Sequence, residues 1–359
     1  MAAGFFGKPY DAGTIAKLTI FELYTQEWIP VFVSRPNPPF REVHIFDFFC
    51  GPGADSAGVH GSPIRVLDQL RRYERLGMAG WNKVSIVAHL FDRDPRQIET
   101  LRQKLQTGNW SVHGVKIDCR PVSFEQALAE HRALLKDAGC AKLLIIDQYG
   151  VDDVSDEVFK ELIEFPTTDF IFFLPSSMLH RFRDHPAIKR KIDRIEDSYD
   201  VHRAAFKYFR DLASPNDVFL GSFSIRKPKG NIYGLIFGSH HPLGIQKFLQ
   251  VAWGHDEIAG EANFDIEREN IRPGEGILPL DVMQPNKVRA FEEDLEEALK
   301  SGRMRSEADV VRFCIEAGMT CQHSGPVLKK LKDAGLITLD FRVPDVGRLK
   351  TPRPITLNS

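Results

Sequence analysis

The sequence predicts an α/β protein in which a mostly parallel β-sheet is covered by helices on both faces, with a smaller α+β domain after it. Between residues 41 and 260, short and almost wholly apolar runs alternate with helical segments. Runs of this kind are typical of parallel strands that are buried on both faces. The character of the chain changes at about residue 286, where charged helices and a short hairpin pattern begin. The length of 359 residues is enough for two such domains.

Each strand of the predicted parallel sheet ends at a turn signal. The five runs cover residues 43–49, 85–91, 111–117, 143–146 and 170–174. The helical segments between the first four runs cover residues 63–76, 95–106 and 123–138. Two further runs, 218–224 and 231–238, are joined by Lys227-Pro228-Lys229-Gly230 and predict an antiparallel hairpin at the sheet edge.

Helical segments also precede and interrupt the sheet. Residues 14–33 have apolar side chains at helical spacing and predict an amphipathic helix, which we assign with residues 1–40 to an N-terminal lead-in. Packing on the domain is the simpler interpretation of this helix, and contact of its aromatic face with a cofactor is the other. A charged helical insertion at about 180–213 interrupts the domain at 41–260, and it is either a solvated face or a phosphate-binding surface.

The C-terminal segment 286–359 has the element order of a winged helix, with three helices followed by a β-hairpin that has a basic tip. Basic residues lie on the predicted recognition helix (Lys329, Lys330 and Lys332) and on the predicted wing (Arg348, Lys350 and Arg353). The pattern predicts contact with nucleic acid. Docking to a protein partner is the alternative, because winged helices serve both purposes.

Composition and charge indicate an ordinary globular protein. Hydrophobic residues make up 43% and charged residues 27%, and the net charge of −2 creates no global field that favours nucleic acid. No apolar run reaches the roughly 18 residues of a transmembrane helix, and the N-terminus has no signal-peptide pattern. The 5 cysteines are odd in number and scattered, which favours reduced thiols and a cytoplasmic location. Cys314, Cys321 and His323 match no common zinc-site spacing.

The most informative stretch is Asp47-Phe48-Phe49-Cys50-Gly51-Pro52-Gly53, where a buried strand ends in an acid and enters a Gly-x-Gly turn. Glycines here let the backbone approach a ligand closely, and Gly61-Ser62-Pro63 predicts a helix start with Ser62 as its N-cap. A dinucleotide fingerprint needs a third glycine at position 56, where the chain has Ser56. The pattern instead resembles the first motif of class I S-adenosylmethionine (SAM) methyltransferases. The resemblance implies a SAM site at Asp47, Phe49, Gly51 and Gly53.

Four predicted strands in succession end in aspartate, at Asp47, Asp92, Asp118 and Asp147. Ligands of open parallel sheets bind at the carboxyl ends of the strands, so we expect these side chains at one edge. Asp47 would face the α-amino group of the cofactor, Asp92 its ribose hydroxyls and Asp118 its adenine amino group. Asp94 is a rival of Asp92, and a plain loop acid is an equal interpretation of Asp118.

The string Asp147-Gln148-Tyr149-Gly150 follows the fourth strand, where class I methyltransferases hold the methyl acceptor. In enzymes that methylate amino groups, an Asp or Asn there precedes two prolines and an aromatic residue. The acid accepts hydrogen bonds from the target NH2, and the aromatic ring stacks on a flipped base. Asp147 and Tyr149 are therefore the predicted catalytic residues. Gln148 stands where proline is expected, which leaves the methylated atom open.

Together these elements resemble the three-Cys-motif partner family (TcmP) over most of the chain. The residues that carry the resemblance are Lys17, Tyr24 and Trp28, the loop at 47–53, Gly61-Ser62-Pro63, Asp147-x-Tyr149-Gly150, and Tyr233-x-Leu235-x-Phe237 with His241-Pro242-x-Gly244. The resemblance implies a Rossmann-like class I methyltransferase fold and a radical-SAM-like partner that carries three cysteines and an iron–sulfur cluster. It assigns no substrate, and His241 has no derived role.

Two functions of different classes remain open. The first is a SAM-dependent methyltransferase that acts on nucleic acid or a nucleotide-like group, together with the three-Cys-motif partner. The second is a non-catalytic adaptor that keeps the fold and binds a protein or nucleic-acid partner through the winged-helix module, and Gln148 favours it. A nuclease or hydrolase that holds a metal on Asp92 and Asp94 is a third hypothesis, but no lysine stands in a matching motif.

Overall fold

The computed structural model of the protein describes residues 8–148, 154–174, 198–213, 218–226, 232–255 and 286–358. The chain divides into two compact units, Met1–His241 and Pro242–Ser359. None of the described helices is both long and apolar enough to cross a membrane. The predicted hairpin turn at 227–230 and the first part of the predicted insertion, residues 180–197, lie outside the described residues.

A seven-stranded sheet forms the centre of the N-terminal unit, with the strand order β3-β2-β1-β4-β5-β7-β6. The strands are β1 (Glu42–Asp47), β2 (Ser85–Asp92), β3 (Val115–Pro121), β4 (Ala141–Ile146), β5 (Thr168–Leu174), β6 (Phe219–Arg226) and β7 (Ile232–Ser239). Strands β1 to β5 are parallel, whereas β7 runs antiparallel to both β5 and β6. The predicted parallel sheet closed by an antiparallel hairpin is confirmed. Because β1 has β2 on one side and β4 on the other, the strand order reverses there and opens a crevice at the carboxyl ends of β1 and β4.

Burial explains the apolar sequences of these strands. All six residues of β4 are buried, and β1 exposes only its first residue. A polar side chain on such a strand would have to be desolvated on either face, so the runs are nearly continuous in apolar residues. Phenylalanines, among them Phe46, Phe48, Phe159 and Phe172, form much of the core on one face of the sheet.

The helices of the N-terminal unit include the three predicted between the strands, at 63–76, 95–106 and 123–138, and one between β4 and β5 that the sequence patterns do not predict. They are α1 (Ala12–Trp28), α2 (Pro30–Val33), α3 (Ser62–Arg75), α4 (Pro95–Thr107), α5 (Phe124–Leu135), α6 (Asp156–Leu162) and α7 (Ser198–Ala213). The single helix predicted at 14–33 is wrong, because Pro30 has no N–H to donate and begins the separate helix α2. The predicted N-cap is also wrong: Gly61 caps α3, and Ser62 is its first helical residue.

The third strand begins and ends later than the sequence predicts. Residues 112–115 form a turn, closed by the Val115 N–H on the Val112 carbonyl oxygen at 3.1 Å, and Gly114 has a φ of 81° that strands do not adopt. The strand then runs from Val115 to Pro121. The expectation that Asp118 ends this strand is therefore wrong. Asp118 lies inside β3 opposite His89, and Pro121 is the residue opposite Asp92.

The described residues of the C-terminal unit form four α-helices and a short β-ladder. Its elements are α8 (Pro242–His255), α9 (Asn286–Lys300), α10 (Glu307–Glu316), α11 (Gly325–Asp333), β8 (Ile337–Thr338) and β9 (Thr356–Leu357). The antiparallel pairing of β8 with β9 covers two residues on each strand, less than the predicted hairpin. Three helices followed by paired strands are present after residue 286, and the winged-helix classification of this unit stays a prediction. Helix α8 belongs to this unit, although the sequence pattern places it in the domain at 41–260.

Candidate functional site

Asp47 ends β1 where the strand order reverses, and one of its carboxylate oxygens has no partner among the described residues. The residue is 0% exposed. Its Oδ1 accepts a hydrogen bond from the Phe49 N–H at 3.3 Å, whereas Oδ2 has no hydrogen-bond partner in the described part of the chain. Burial above all, and then the nearby carboxylates of Asp147 and Asp92, raise the pKa of Asp47 to about 7, although the Ser62 hydroxyl opposes the shift. A buried, unpartnered carboxylate oxygen is costly, so this position favours a cationic donor.

The glycine loop after β1 has the conformation that its glycines were expected to permit. Gly51 and Gly53 have φ values of 58° and 82°. A Cβ at Gly53 would lie 2.7 Å from Cδ1 of Leu101, so both the backbone angle and the close contact require glycine there. The loop is fixed to its surroundings by backbone hydrogen bonds, from the Cys50 N–H to the Phe91 carbonyl at 2.9 Å and from the Gly61 N–H to the Gly53 carbonyl at 2.8 Å. Phe49 is half-buried beside the loop.

Asp92 ends β2 beside this loop. Its Oδ2 accepts the Gly51 N–H at 3.1 Å, and its Oδ1 accepts the Asp94 N–H at 2.8 Å. Burial raises the pKa of Asp92, and the two amides oppose the shift. Asp94, the rival candidate, caps α4 through the Arg96 N–H and pairs with the Arg96 guanidinium. Asp92 is therefore the acid at the strand end, and its contact with a ribose stays a prediction.

Asp118 does not share the position of the other three acids, because it lies within β3. Its Oδ1 accepts from Arg120 Nε at 2.9 Å, and its Oδ2 lies 3.4 Å from His89 Nδ1. Asp118 is thus already engaged by two neighbours from β2 and β3. Its predicted contact with the adenine amino group stays a prediction.

Asp147 follows β4 and forms a buried ion pair with Lys17 of α1. The Lys17 Nζ lies 2.5 Å from Asp147 Oδ1, and the two residues are 4% and 5% exposed. The same Nζ lies 4.3 Å from the centroid of the Phe173 ring. In the sequence, Lys17 stands out only through the family resemblance, and the resemblance gives it no role. The pairing with Asp147 could not be predicted, because no local pattern shows which residue a buried lysine contacts.

Gln148, the departure from the expected proline, ties the chain after β4 to β5. It is 0% exposed, its Nε2 donates to the Phe173 carbonyl at 2.9 Å, and its Oε1 accepts the Val154 N–H at 3.1 Å. A side-chain amide can make both bonds, whereas proline can make neither. The other predicted catalytic residue, Tyr149, lies outside the described residues.

The segment before α1 also contacts this region, which the sequence patterns do not predict. The Tyr10 N–H donates to Asp55 Oδ2 at 2.6 Å, and Asp55 Oδ1 accepts the N–H groups of Ala57 and Val59 at 2.9 and 2.8 Å. Burial first, and then the negative charges of Asp55 and Asp147, raise the pKa of the Tyr10 phenol. A Cβ at Gly61 would lie 3.2 Å from the Tyr10 hydroxyl, so the phenol lies beside the start of α3. An aspartate two residues after the Gly-x-Gly turn was the only sequence signal for this contact.

The lysines predicted to contact nucleic acid are engaged with neighbours in the C-terminal unit. Their partners are Asp333 for Lys329, Glu296 for Lys330 and the Leu339 carbonyl for Lys332. Arg348 and Lys350 are exposed, at and after a short 3-10 helix rather than on a strand. Arg353 pairs with the buried carboxylate of Glu307 at 2.5 Å. Contact of these basic residues with nucleic acid stays a prediction.

The sheet order and the acid that precedes a Gly-x-Gly turn define a Rossmann-like fold of the SAM-dependent methyltransferase class. The strand order 3-2-1-4-5-7-6 with an antiparallel β7 is the arrangement of that class. The assignment to this fold class therefore follows from the strand order and from the position of Asp47 before the glycine turn.

Solved structures similar to this chain include methyltransferases with SAM or S-adenosylhomocysteine (SAH) bound. Trm1 from Pyrococcus horikoshii, solved with SAM, is 10% identical with a TM-score of 0.40, and the match covers 64% of this chain and 56% of that one. An O-methyltransferase from Bacillus cereus, solved with SAH, is 12% identical with a TM-score of 0.36, over 66% of this chain and 86% of that one. The O-methyltransferase TomG from Streptomyces achromogenes, solved with SAM, is 14% identical with a TM-score of 0.32, over 65% and 92%.

Comparison of the sequence with protein-family models finds no match. Comparison with curated proteins also finds none. The resemblance to the TcmP family therefore stays a prediction.

Proposed function

We propose that the protein is a SAM-dependent methyltransferase that acts on nucleic acid or on a nucleotide-like group. The observation that carries the proposal is the Oδ2 of Asp47, which has no partner among the described residues and is buried at the switch point of the sheet, next to the glycine loop. An ammonium group is the kind of ligand that satisfies such an oxygen, and the methionine part of SAM carries one.

The residues around Asp47 fit the remaining parts of SAM. Gly51 and Gly53 turn the backbone after β1 with positive φ angles, and Asp92 lies at the end of the adjacent strand, where ribose hydroxyls are bound in open α/β sheets. When bound, SAM supplies an electrophilic methyl group. The chain itself supplies the acids that orient the cofactor and the acceptor.

Asp147 is the proposed acceptor-binding residue. One of its oxygens is held by Lys17, and among the described residues its Oδ2 accepts no hydrogen bond, which leaves that oxygen for an N–H or O–H of the acceptor. The low exposure of the pair means that an acceptor bound there is partly desolvated, which makes its lone pair more reactive. The proposed role of Tyr149 is to stack on a flat acceptor group, as the motif after β4 implies.

The proposed substrate class and partner depend on the sequence patterns. A nucleotide-like acceptor follows from the motif after β4, and nucleic-acid contact through a winged-helix module follows from the basic residues, of which Arg348 and Lys350 are exposed. Charge reversal at both should lower the affinity for duplex or single-stranded RNA and DNA and reduce its salt dependence, which filter binding at several salt concentrations measures. The proposed protein partner is a radical-SAM-like three-Cys-motif protein, on the basis of the TcmP resemblance.

Calorimetric titration with SAM and SAH is the first test. We expect both to bind the wild-type chain, and Asp47→Asn to weaken SAM binding by at least about tenfold because it removes the charge that faces the ammonium group. The control is Glu99→Gln, an exposed acid on α4 that should leave binding unchanged. No binding by the folded wild-type chain, or equal binding by the Asp47 variant, would contradict the proposed cofactor.

A non-catalytic adaptor is the second candidate function. It is favoured by the ion pair that already occupies one oxygen of Asp147 and by the structural use of Gln148. Transfer of a radiolabelled methyl group from SAM to cellular RNA, DNA or nucleotides separates the two. Transfer that Asp147→Asn abolishes while SAM binding persists would support the enzyme. SAM binding without transfer to any of these acceptors, with or without the co-purified partner, would support the adaptor.

A further inference from the structure

Two histidines and an aspartate converge on the face of the sheet that α5 covers, outside the candidate cofactor crevice. They are His89 of β2, Asp118 of β3 and His131 of α5, and one ligand atom from each lies within 4.8 Å of the other two. Three separate elements therefore bring their donors to one point. In the described part of the chain, this is the group of three that has the spacing of a metal site.

The nitrogen atoms of the two histidines have distinct hydrogen-bond roles. His131 Nδ1 lies 2.8 Å from the Ala127 carbonyl oxygen, so this nitrogen carries the proton and Nε2 keeps a lone pair. The second nitrogen of His89, Nε2, lies 3.1 Å from His44 Nδ1, which directs Nδ1 toward Asp118. Metal-binding histidines in proteins are oriented in the same way, with the other ring nitrogen donating to a carbonyl or a further side chain.

The spacing between His89 and Asp118 fits a shared ion better than a hydrogen bond. His89 Nδ1 and Asp118 Oδ2 are 3.4 Å apart, well beyond the usual N–H···O separation of about 2.9 Å. Two ligands that each lie about 2.0–2.1 Å from a tetrahedral Zn²⁺ are about 3.4 Å from each other. The pair thus already has the separation of one edge of such a site.

His44 lies behind His89, and its own second nitrogen faces a carboxylate. Its Nε2 is buried and makes no hydrogen bond to the described residues, and the Glu42 Oε2 lies 3.7 Å away. If His89 Nδ1 binds an ion, its Nε2–H donates to His44 Nδ1 and the His44 Nε2–H faces the Glu42 carboxylate. If instead His89 donates to Asp118, a lone pair on His44 faces that carboxylate. The first arrangement turns an N–H toward the negative charge of Glu42, whereas the second turns a lone pair toward it, so the first is electrostatically favoured.

We propose that His89, Asp118 and His131 bind a divalent transition-metal ion, with Zn²⁺ as the best match for two imidazole nitrogens and one carboxylate oxygen. The rings of His89 and His131 are held by contacts with Phe46, at centroid distances of 4.2 and 5.3 Å, so little side-chain freedom is lost on binding. Asp118 and His131 are half-buried, which gives an ion a route from solvent.

The surrounding charges are compatible with a cation. Arg120 bonds the second oxygen of Asp118, Oδ1, at 2.9 Å and leaves Oδ2 for the ion. The charge of Arg120 is offset by Glu130 at 2.9 Å. The ion would link β2, β3 and α5, and its expected effect is to stabilise the N-terminal unit.

Titration of the purified full-length chain, prepared without a histidine tag and freed of metal by chelator, tests the site. We expect one Zn²⁺ to bind per chain and to raise the thermal unfolding midpoint, with no such effect from Mg²⁺. His131→Gln should weaken Zn²⁺ binding by at least about tenfold and remove the thermal shift. The matched control is His113→Gln, an exposed histidine in the turn before β3, which should change neither.

Two further variants distinguish this metal site from a neighbouring thiol and from the cofactor crevice. Cys119 is adjacent to Asp118 but points to the opposite face of the sheet, so Cys119→Ser should keep Zn²⁺ binding. Asp118→Asn should also lose Zn²⁺ binding, and His131→Gln should keep SAM binding while it loses Zn²⁺, because His131 is not one of the predicted cofactor residues. Undiminished Zn²⁺ binding by both His131→Gln and Asp118→Asn, or the absence of Zn²⁺ binding by the wild-type chain, would overturn the proposal.

Discussion

Lys17 and Asp147 are 130 residues apart in sequence, and their side chains meet at 2.5 Å in the interior of the N-terminal unit. Both are almost fully buried, and the Lys17 ammonium also lies over the Phe173 ring. Helix α1 thereby contributes a cation to the acid that follows β4. The lead-in helix is part of the candidate site and not only a cover for the sheet.

Loss of Lys17 should leave a buried carboxylate without a counter-ion. Lys17→Met is expected to lower the free energy of unfolding by about 3–5 kcal/mol, measured by urea denaturation. Adding Asp147→Asn should recover much of this loss, because the uncompensated charge is then removed. The control Lys116→Met changes an exposed lysine of β3 and should stay within about 0.5 kcal/mol of the wild type. Additive effects of the two site substitutions would show that the pair is not coupled.

The raised pKa of Asp47 predicts how SAM binding depends on pH. Burial raises the pKa of this carboxyl group to about 7 in the folded chain, against an ordinary value of 3.8. The ammonium group of SAM requires the ionised form, so the affinity should rise by up to about tenfold per pH unit and level off above a pH of about 7. Asp47→Asn should bind weakly with no such slope, whereas Glu99→Gln should keep it. A wild-type affinity that is flat across this range would contradict the assignment.

The same shift affects stability with the opposite sign. Between pH values of about 3.8 and 7, the folded chain retains a proton on Asp47 that the unfolded chain has released. The contribution of Asp47 to the free energy of unfolding therefore falls as the pH rises through this window. Asn at position 47 carries no such proton, so the free energy of unfolding of Asp47→Asn should increase relative to that of the wild type as the pH rises toward neutral. Urea denaturation at several pH values measures it.

Two glycines with the same backbone angle separate conformational strain from close contact. Gly53 and Gly58 both have a φ of 82°, but a Cβ at Gly53 would lie 2.7 Å from Leu101 Cδ1, whereas no described atom lies within 4 Å of one at Gly58. Alanine at Gly58 should cost about 1–2 kcal/mol from strain alone. Alanine at Gly53 should cost a further 1–3 kcal/mol, roughly, because Leu101 is fully buried and has little room to move. Thermal or urea unfolding of both variants checks the difference, and equal losses would show that Leu101 adapts.

In the C-terminal unit, Glu307 should make stability sensitive to acid. Its Oε1 accepts Arg353 Nη2 at 2.5 Å and the Asp345 N–H at 2.8 Å. Burial alone would raise the pKa of Glu307. The hydrogen bonds from the Arg353 side chain and from the backbone N–H groups of Asp345 and Arg353 instead hold this pKa below its ordinary value. The stabilisation is therefore present at neutral pH and is lost as the pH falls through the folded-state value.

Glu307→Gln is expected to destabilise the unit by about 1.5–3 kcal/mol at neutral pH, with a smaller difference from the wild type in acid. Hydrogen exchange of α10 and α11 in the full-length chain measures this loss within the unit. Glu316→Gln, an exposed acid at the end of α10, is the control and should leave exchange unchanged. Equal protection in the Glu307 variant and the control would show that the buried ion pair adds no net stability.

Much of the sheet and part of the site could be predicted because their signals are local. The apolar runs of β1, β2 and β4 mark strands buried on both faces, and each is followed or ended by an aspartate that the structure places at the carboxyl edge. The limits of β3 could not be predicted. Val112 and Gly114 belong to a turn that is also bound by Trp81, which is distant in sequence and whose Nε1 donates to the His113 carbonyl at 3.0 Å.

By itself, the sequence determined the class of fold, the position of the glycine loop and the acids at the ends of β1 and β2. These follow from hydrophobic periodicity and from residues that limit the backbone locally. Only the tertiary structure decided that Lys17 pairs with Asp147, that Gln148 joins β4 to β5, and that His89, Asp118 and His131 meet. Periodicity reports that a residue is buried, but the partner that satisfies a buried polar group depends on which element packs against it, and no local pattern records that packing.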